Sequence, residues 1–177
     1  MPEDLAVPVD DADHATGADA GAASVVLVEY GDYECPSCAA TQPHVEAILK
    51  GYGDRVRFVF RHFPITTVHP RASVAAQAAE AAAAQGKFWP MHRALYARPG
   101  GEAADDLDAL ALRVGLEPYR FSRDLTANVY AAKVAADIDG GRRSGVTGTP
   151  TFFLNGKRLA DLPSYDALAD AVAHALA

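Results

Sequence analysis

Four short runs, three of them mainly apolar, have the length of strands, two in the first third of the chain and two near its end. They are residues 25–30, 56–60, 151–154 and 157–160. The first run stops at the turn residues Gly31 and Asp32. Asn155 and Gly156 separate the last two runs, and Asn-Gly between apolar segments is the strongest short signal for a β-hairpin. The pattern therefore predicts strands at both ends of one domain.

Apolar positions at helical spacing predict helices between and after these runs. The first helix begins at Pro36, whose fixed φ suits the first turn, and extends to about Lys50. Pro43 lies inside this helix and is expected to kink it. Further helices are predicted at residues 70–85, 88–96, 105–114, 118–125 and 127–140. Ser164 is expected to cap a final helix whose apolar residues recur every fourth position.

The order of these elements divides the chain into parts. A strand–helix–strand unit precedes a block of helices, and two strands and a helix follow, so the expected class is α/β with an inserted all-helical domain. Residues 23–64 and 146–177 are expected to form the domain that carries the strands. Residues 65–145 are expected to form the helical insertion. Residues 1–22 are acidic and rich in Ala, Gly and Asp, which is typical of a flexible arm with little to bury.

Composition and charge exclude several classes of function. A chain of 177 residues is long enough to bury a core without disulfide bonds. Its formal net charge is −7 and no basic stripe offsets that charge, which argues against nucleic acid as a partner. No apolar run approaches the length of about 18 residues that a membrane-spanning helix needs. We therefore expect neither nucleic-acid binding nor membrane insertion.

The first residues of the chain carry neither a basic segment nor the apolar stretch of a signal peptide. If Met1 is the native start, we therefore expect a cytoplasmic location. The alternative is an exported protein from which a signal or an anchor has been removed.

The only two cysteines, Cys35 and Cys38, lie three positions apart where the first strand gives way to the first helix. With Pro36 opening the helix, a thiolate on Cys35 faces unpaired backbone N–H groups and the positive end of the helix dipole. Such placement lowers the pKa of a cysteine from about 8.5 to a range of roughly 3.5 to 7.5. Cys38, one turn further on, can resolve a mixed disulfide formed at Cys35. The spacing therefore predicts dithiol redox chemistry.

Two acidic residues close to the pair act in the opposite direction. Asp32 and Glu34 are expected to be exposed, and an exposed charge about 7 Å away costs a thiolate only roughly 0.6 kcal/mol in water. The helix terminus contributes up to about 2 kcal/mol in a partly buried site. We therefore expect Cys35 to remain acidic despite both carboxylates.

Two other interpretations of the cysteine pair have less support. A structural zinc site needs four ligands, and the nearest histidines, His62 and His69, lack the spacing of a zinc-binding pair. A purely structural disulfide that closes so short a loop adds little stability. We therefore expect no metal, and we expect His62, His69 and His92 to be hydrogen-bonded packing or capping residues.

Four stretches of the chain resemble the DsbA-like thiol:disulfide oxidoreductases, which have a thioredoxin fold interrupted by a helical domain. These stretches are residues 29–38, 61–64, 86–92 and 144–153. The resemblance spans about residues 13–174. It implies a central mixed sheet of four to five strands, an inserted all-helical domain, and protein thiols and disulfides as substrates.

The resemblance also assigns roles to residues other than the cysteines. It implies that Pro150 follows a cis peptide bond and faces the dithiol. The backbone of Thr149 then binds the substrate polypeptide as an added strand. Glu29 matches a buried acid beneath the second cysteine and is expected to exchange a proton with Cys38.

Pro36 and Ser37, between the cysteines, are expected to tune the pair. The strongest oxidants of the family often carry His where Ser37 stands, and Val where Thr149 stands. Serine supplies at most a hydrogen bond to a thiolate. Together with the expected location, these departures predict a protein that favours disulfide reduction or isomerisation.

The sequence therefore predicts a monomeric enzyme without a dissociable cofactor. Its redox partner is expected to be a small thiol or another oxidoreductase. One alternative is a dithiol oxidase that introduces disulfides, and a second is a redox-switched chaperone or sensor. A third is a glutathione-dependent enzyme on the same fold, against which the intact cysteine pair argues.

Overall fold

The computed structural model describes residues 4–97, 106–159 and 164–177, and within these ranges it contains five strands and seven helices. The strands are β1 (His14–Gly17), β2 (Val25–Gly31), β3 (Val56–His62), β4 (Thr151–Leu154) and β5 (Lys157–Arg158). The helices are α1 (Pro36–Tyr52), α2 (Ala72–Ala83), α3 (Phe88–Tyr96), α4 (Leu107–Arg113), α5 (Pro118–Thr126), α6 (Ala131–Arg143) and α7 (Tyr165–Leu176). The element ends predicted at Asp105 and Ala160 lie outside the described residues.

The five strands form one mixed sheet in the order β1-β3-β2-β4-β5. β1 is antiparallel to β3, β4 is antiparallel to β2, and β5 is antiparallel to β4. β2 lies in the middle and is buried along almost its whole length, as its continuous run of Val and Leu predicts. The α/β class and the mixed sheet expected from the sequence are confirmed.

Local sequence signals placed several ends of these elements correctly. Asn155 and Gly156 have φ angles of 49° and 80°, and a two-residue hairpin turn of type I′ needs positive φ at both positions. Ser164 caps α7 through its side chain. α6 begins at Ala131, later than predicted, because Asn128 adopts a left-handed conformation with a φ of 51°.

The N-terminal segment differs from the arm expected there, because residues 14–17 pair with β3 as an edge strand. The guanidinium of Arg61 holds this segment by donating two hydrogen bonds of 2.7 Å to the carboxylate of Asp13. Burial acts to lower the pKa of Arg61, but hydrogen bonds with Asp13 and Tyr30 outweigh it, so the pKa lies above its ordinary value. A buried ion pair therefore anchors a segment that has little apolar surface to bury.

The chain divides into two compact units. Residues 1–31, 40–61 and 139–177 form the first, called the sheet unit here, and residues 32–39 and 62–138 form the second, called the helical unit. Both cysteines belong to the helical unit. The domain boundaries predicted from the order of the elements stay a prediction.

Alanine dominates the centre of the helical unit. α2 packs against α3, α4 and α5, and its buried residues are alanines apart from Gln77 and Glu80. Small side chains on a central helix allow its neighbours to approach closely. Gly86, with a φ of 71°, follows the end of α2 and allows the chain to turn towards α3.

Candidate active site

The two cysteines lie at the N-terminal end of α1. The carbonyl of Cys35 accepts the N–H of Ala39 at 3.1 Å, so Cys35 occupies the N-cap position. Cys35 is 7% exposed, whereas Cys38, in the first turn, is fully buried near it. Pro36 is exposed and Ser37 is half-buried between them. Cys35 therefore lies where backbone N–H groups and the helix dipole favour a thiolate.

A tight turn leads into Cys35, and Asp32 organises it. The Asp32 carbonyl accepts the N–H of Cys35 at 3.1 Å. Its carboxylate is fully buried and accepts the N–H groups of Glu34, at 2.9 Å, and Ile65, at 2.8 Å. The same carboxylate lies 2.8 Å from Nδ1 of His69. The expectation that Asp32 is an exposed charge is wrong, because these donors replace water around it.

The next two residues of the turn are also bound within the helical unit. The hydroxyl of Tyr33 is hydrogen-bonded to Nδ1 of His92 in α3 at 3.0 Å. The carboxylate of Glu34 accepts the N–H of Arg71, directly before α2, at 2.7 Å. Residues 32–34 therefore contact two parts of the helical unit, residues 65–71 and α3, and these contacts fix the orientation of the turn that carries Cys35.

Aromatic rings surround Tyr33 in the same unit. Its ring centroid lies 5.9 Å from that of His62 and 5.6 Å from that of His92. Phe88 stacks on His92, and Nε2 of His62 lies 2.8 Å from the carboxylate of Glu80.

Among the residues that the structure describes, the side chains close enough together to share a metal ion include neither cysteine. The two cysteines are therefore not part of a metal-binding cluster among these residues.

Glu29 belongs to the sheet unit. It is fully buried in β2, and its two carboxylate oxygens accept hydrogen bonds of 3.3 and 3.2 Å from Nε2 of Gln42. In the sheet it pairs with Phe152 of β4. A buried carboxylate with a neutral amide donor has the surroundings of a group that exchanges protons. Its predicted exchange with Cys38 stays a prediction.

The segment that leads into β4 also belongs to the sheet unit. The peptide bond between Thr149 and Pro150 is cis, and Pro150 is buried whereas Thr149 is half-buried. The hydroxyl of Thr151 donates a hydrogen bond of 2.8 Å to the carbonyl of Gly148, which closes the turn around the two residues. The roles predicted for Thr149 and Pro150 in substrate binding stay predictions.

The sequence interpretation missed the organising role of Asp32. Gly31-Asp32 is a recognisable turn signal, and an aspartate in a turn commonly accepts the N–H two residues further on, as it does here from Glu34. The other two donors, at Ile65 and His69, come from a segment after β3. No local pattern connects that segment with the turn.

Comparison with known proteins decides the family. A family profile described as thioredoxin matches residues 10–174. This chain belongs to the thioredoxin family. A thioredoxin-like oxidoreductase from Silicibacter pomeroyi DSS-3 is 29% identical, with a TM-score of 0.80 and 94% of both chains covered. BdbD from Bacillus subtilis, in its oxidised form, is 24% identical, with a TM-score of 0.85 over 99% of both chains.

A third solved structure, the thiol-disulfide exchange protein alpha-DsbA2 from Wolbachia pipientis, shares the same fold. It is 20% identical, with a TM-score of 0.80 that covers 93% of this chain and 88% of that one. The predicted thioredoxin fold and the resemblance to thiol:disulfide oxidoreductases are therefore confirmed.

The curated relatives of this thioredoxin-family chain are much longer proteins. The Na(+)/H(+) antiporter NhaA 1 of Salinispora arenicola (strain CNS-205) is 46% identical over 175 residues, which are 98% of this chain but 26% of that protein. NhaA 1 of Mycobacterium sp. (strain KMS) is 41% identical over 159 residues, or 25% of its length. The chain thus spans about a quarter of the curated relatives it matches. Within the described residues, no helix combines the length and the apolar character needed to cross a membrane.

The predicted cytoplasmic location is wrong. That prediction assumed that Met1 is the native start of the protein. The stretch that matches this chain instead makes up about a quarter of longer proteins that are named as antiporters. The first residues of the chain are therefore no guide to its compartment.

Proposed function

We propose that this chain is a DsbA-like thiol:disulfide oxidoreductase that exchanges disulfides with protein substrates through Cys35 and Cys38. The observation that carries the proposal is the position of Cys35 at the N-cap of α1, with Cys38 in the first turn of the same helix. The thiolate is the nucleophile in disulfide exchange, and a helix N-terminus stabilises it. The similarity to a thioredoxin-like oxidoreductase supports this activity.

The proposed reaction moves two electrons from the dithiol to a substrate disulfide. The Cys35 thiolate attacks one substrate sulfur, the substrate S–S bond breaks, and the other substrate sulfur leaves as a thiolate. Cys38 then loses its proton and attacks Sγ of Cys35, which releases the first substrate sulfur and leaves a Cys35–Cys38 disulfide. A small thiol or another oxidoreductase supplies two electrons and two protons to restore the dithiol. The same steps in reverse oxidise a substrate.

Three further residues take part in the proposed reaction. Glu29 accepts the proton that Cys38 loses, and its burial beside a neutral amide supports this role. The backbone of Thr149 binds an extended substrate segment beside Pro150 as an added strand. The family resemblance supports all three assignments.

The proposed direction is reduction or isomerisation rather than oxidation. Ser37 is half-buried between the cysteines and supplies at most one hydrogen bond to a thiolate, where strong oxidants of the family often carry a histidine. A thiolate that is less stabilised leaves the dithiol form less stable, so the pair is a weaker oxidant. Thr149, in place of valine, points in the same direction.

Reduction of insulin by dithiothreitol tests the proposed activity. We expect the wild-type chain to accelerate precipitation of the insulin B chain. Cys35→Ser should return the rate to that of dithiothreitol alone, because the nucleophile is gone, and circular dichroism should show that this variant is folded. Equal rates for both proteins would remove the dithiol mechanism. If wild type and Cys35→Ser instead both slow precipitation below the rate with dithiothreitol alone, the chain acts as a chaperone.

A further inference from the structure

We propose that Asp32 and His69 are positioning residues that together set how strongly the Cys35 thiolate is stabilised. The inference rests on the proposed function, because it concerns the same dithiol. Asp32 and His69 are assigned no contact with the substrate. They act on Cys35 through the turn that leads into α1.

Asp32 lies one tight turn before the reacting cysteine, and its carboxylate is shielded from water. The hydrogen bond from the N–H of Cys35 to the carbonyl of Asp32 makes them the last and first residues of a β-turn, whose Cα atoms lie within about 7 Å of each other. The Asp32 side chain is 0% exposed. At a given separation, a charge shielded from solvent acts on a thiolate more strongly than the same charge in water.

His69 is the partner of this carboxylate that a substitution can remove. Of the three donors around Asp32, the N–H groups of Glu34 and Ile65 belong to the backbone. Nδ1 of His69 lies 2.8 Å from Oδ2 of Asp32, and the imidazole is 20% exposed. An ionised carboxylate can only accept, so Nδ1 carries the hydrogen. The N–H dipole of His69 therefore offsets part of the field of the Asp32 carboxylate.

Removing the two side chains should consequently have opposite effects. Without the charge of Asp32, the Cys35 thiolate gains stability, the dithiol form becomes more favourable and the protein becomes a stronger oxidant. Without His69, the carboxylate is less compensated, the thiolate loses stability and the protein becomes a weaker oxidant. If the two residues only held the turn in place, both changes would loosen it and shift the equilibrium in one direction.

The equilibrium between the Cys35–Cys38 pair and glutathione at pH 7 measures these effects. We expect Asp32→Asn to shift the equilibrium constant towards the dithiol by about threefold to tenfold, and His69→Ala to shift it about threefold towards the disulfide. His69→Asn keeps a donor near the position of Nδ1, so it should return the constant to within about twofold of wild type. His174→Gln, an exposed histidine of α7, is the control and should change nothing.

The outcomes separate this inference from the proposed function. A shift of Asp32→Asn and His69→Ala in the same direction, or equal shifts for His69→Ala and His69→Asn, overturns the positioning role. If Asp32→Asn does not fold, the two His69 variants decide alone. Alkylation of Cys35 by iodoacetamide in a Cys38→Ser background needs no exchange, and the midpoint of its pH dependence should lie at higher pH in His69→Ala than in His69→Asn. If that order holds while wild type forms no disulfide with glutathione, only the proposed function fails.

Discussion

The buried carboxylates of this chain differ in the donors that surround them. Asp13 faces the guanidinium of Arg61, and Asp124 faces that of Arg123. Asp32 instead meets backbone N–H groups and an imidazole, and Glu29 meets an amide. Pairing with arginine favours the ionised form of a carboxylate. Asp32 and Glu29, which have no arginine partner among these contacts, are the carboxylates to which we assign a role in the exchange.

Asp124 gives a residue-scale prediction for the dependence of stability on pH. Its hydrogen bond with Arg123 lowers its pKa, although burial acts to raise it, and the hydroxyl of Tyr130 adds to the lowering. The folded pKa therefore lies below the unfolded value of about 3.9. The carboxylate thus stabilises the folded state above about pH 4, and this stabilisation is lost as the pH falls through the folded pKa.

We expect Asp124→Asn to have a lower urea midpoint than wild type at pH 7. The difference should shrink as both proteins are unfolded at successively lower pH below about 4. A difference that stays constant from pH 7 to pH 3 would show that packing, and not the charge of Asp124, stabilises this site.

At the scale of elements, Arg61 of β3 is predicted to hold β1 in the sheet. Arg61→Met leaves the carboxylate of Asp13 buried without its guanidinium, a change that typically costs about 3 to 5 kcal/mol in the free energy of unfolding. Arg143→Met, which breaks an exposed ion pair with Asp139 in α6, is the control and should cost at most about 1 kcal/mol. Urea unfolding measures both, and equal costs would mean that the buried pair does not anchor β1.

Elements with local signals could be predicted from the sequence, and those without them could not. Pro36 at the start of α1, the Asn155-Gly156 turn and the Ser164 cap each act within a few residues of the feature they determine. β1 depends instead on Arg61, and the turn before Cys35 depends on donors from residues 65–71. These contacts form only when distant segments fold together, so no local pattern indicates them.

At the scale of the whole molecule, motifs that lie far apart in the chain predicted the fold correctly. The resemblance seen in the sequence spans about residues 13–174, and the thioredoxin family matches residues 10–174. The location could not be predicted in the same way, because it does not depend on the fold. Relatives that carry this stretch as about a quarter of their length show that its first residues are no guide to a compartment.

The reduction potential of the Cys35–Cys38 pair, measured against glutathione or dithiothreitol buffers, tests whether this pair is a reactive dithiol. We expect one two-electron transition between about −270 and −120 mV, nearer to the lower value because Ser37 stabilises a thiolate weakly. Failure to form the disulfide in oxidised glutathione would show that the pair does not exchange disulfides. So would a disulfide that persists below about −300 mV, because such a bond is structural.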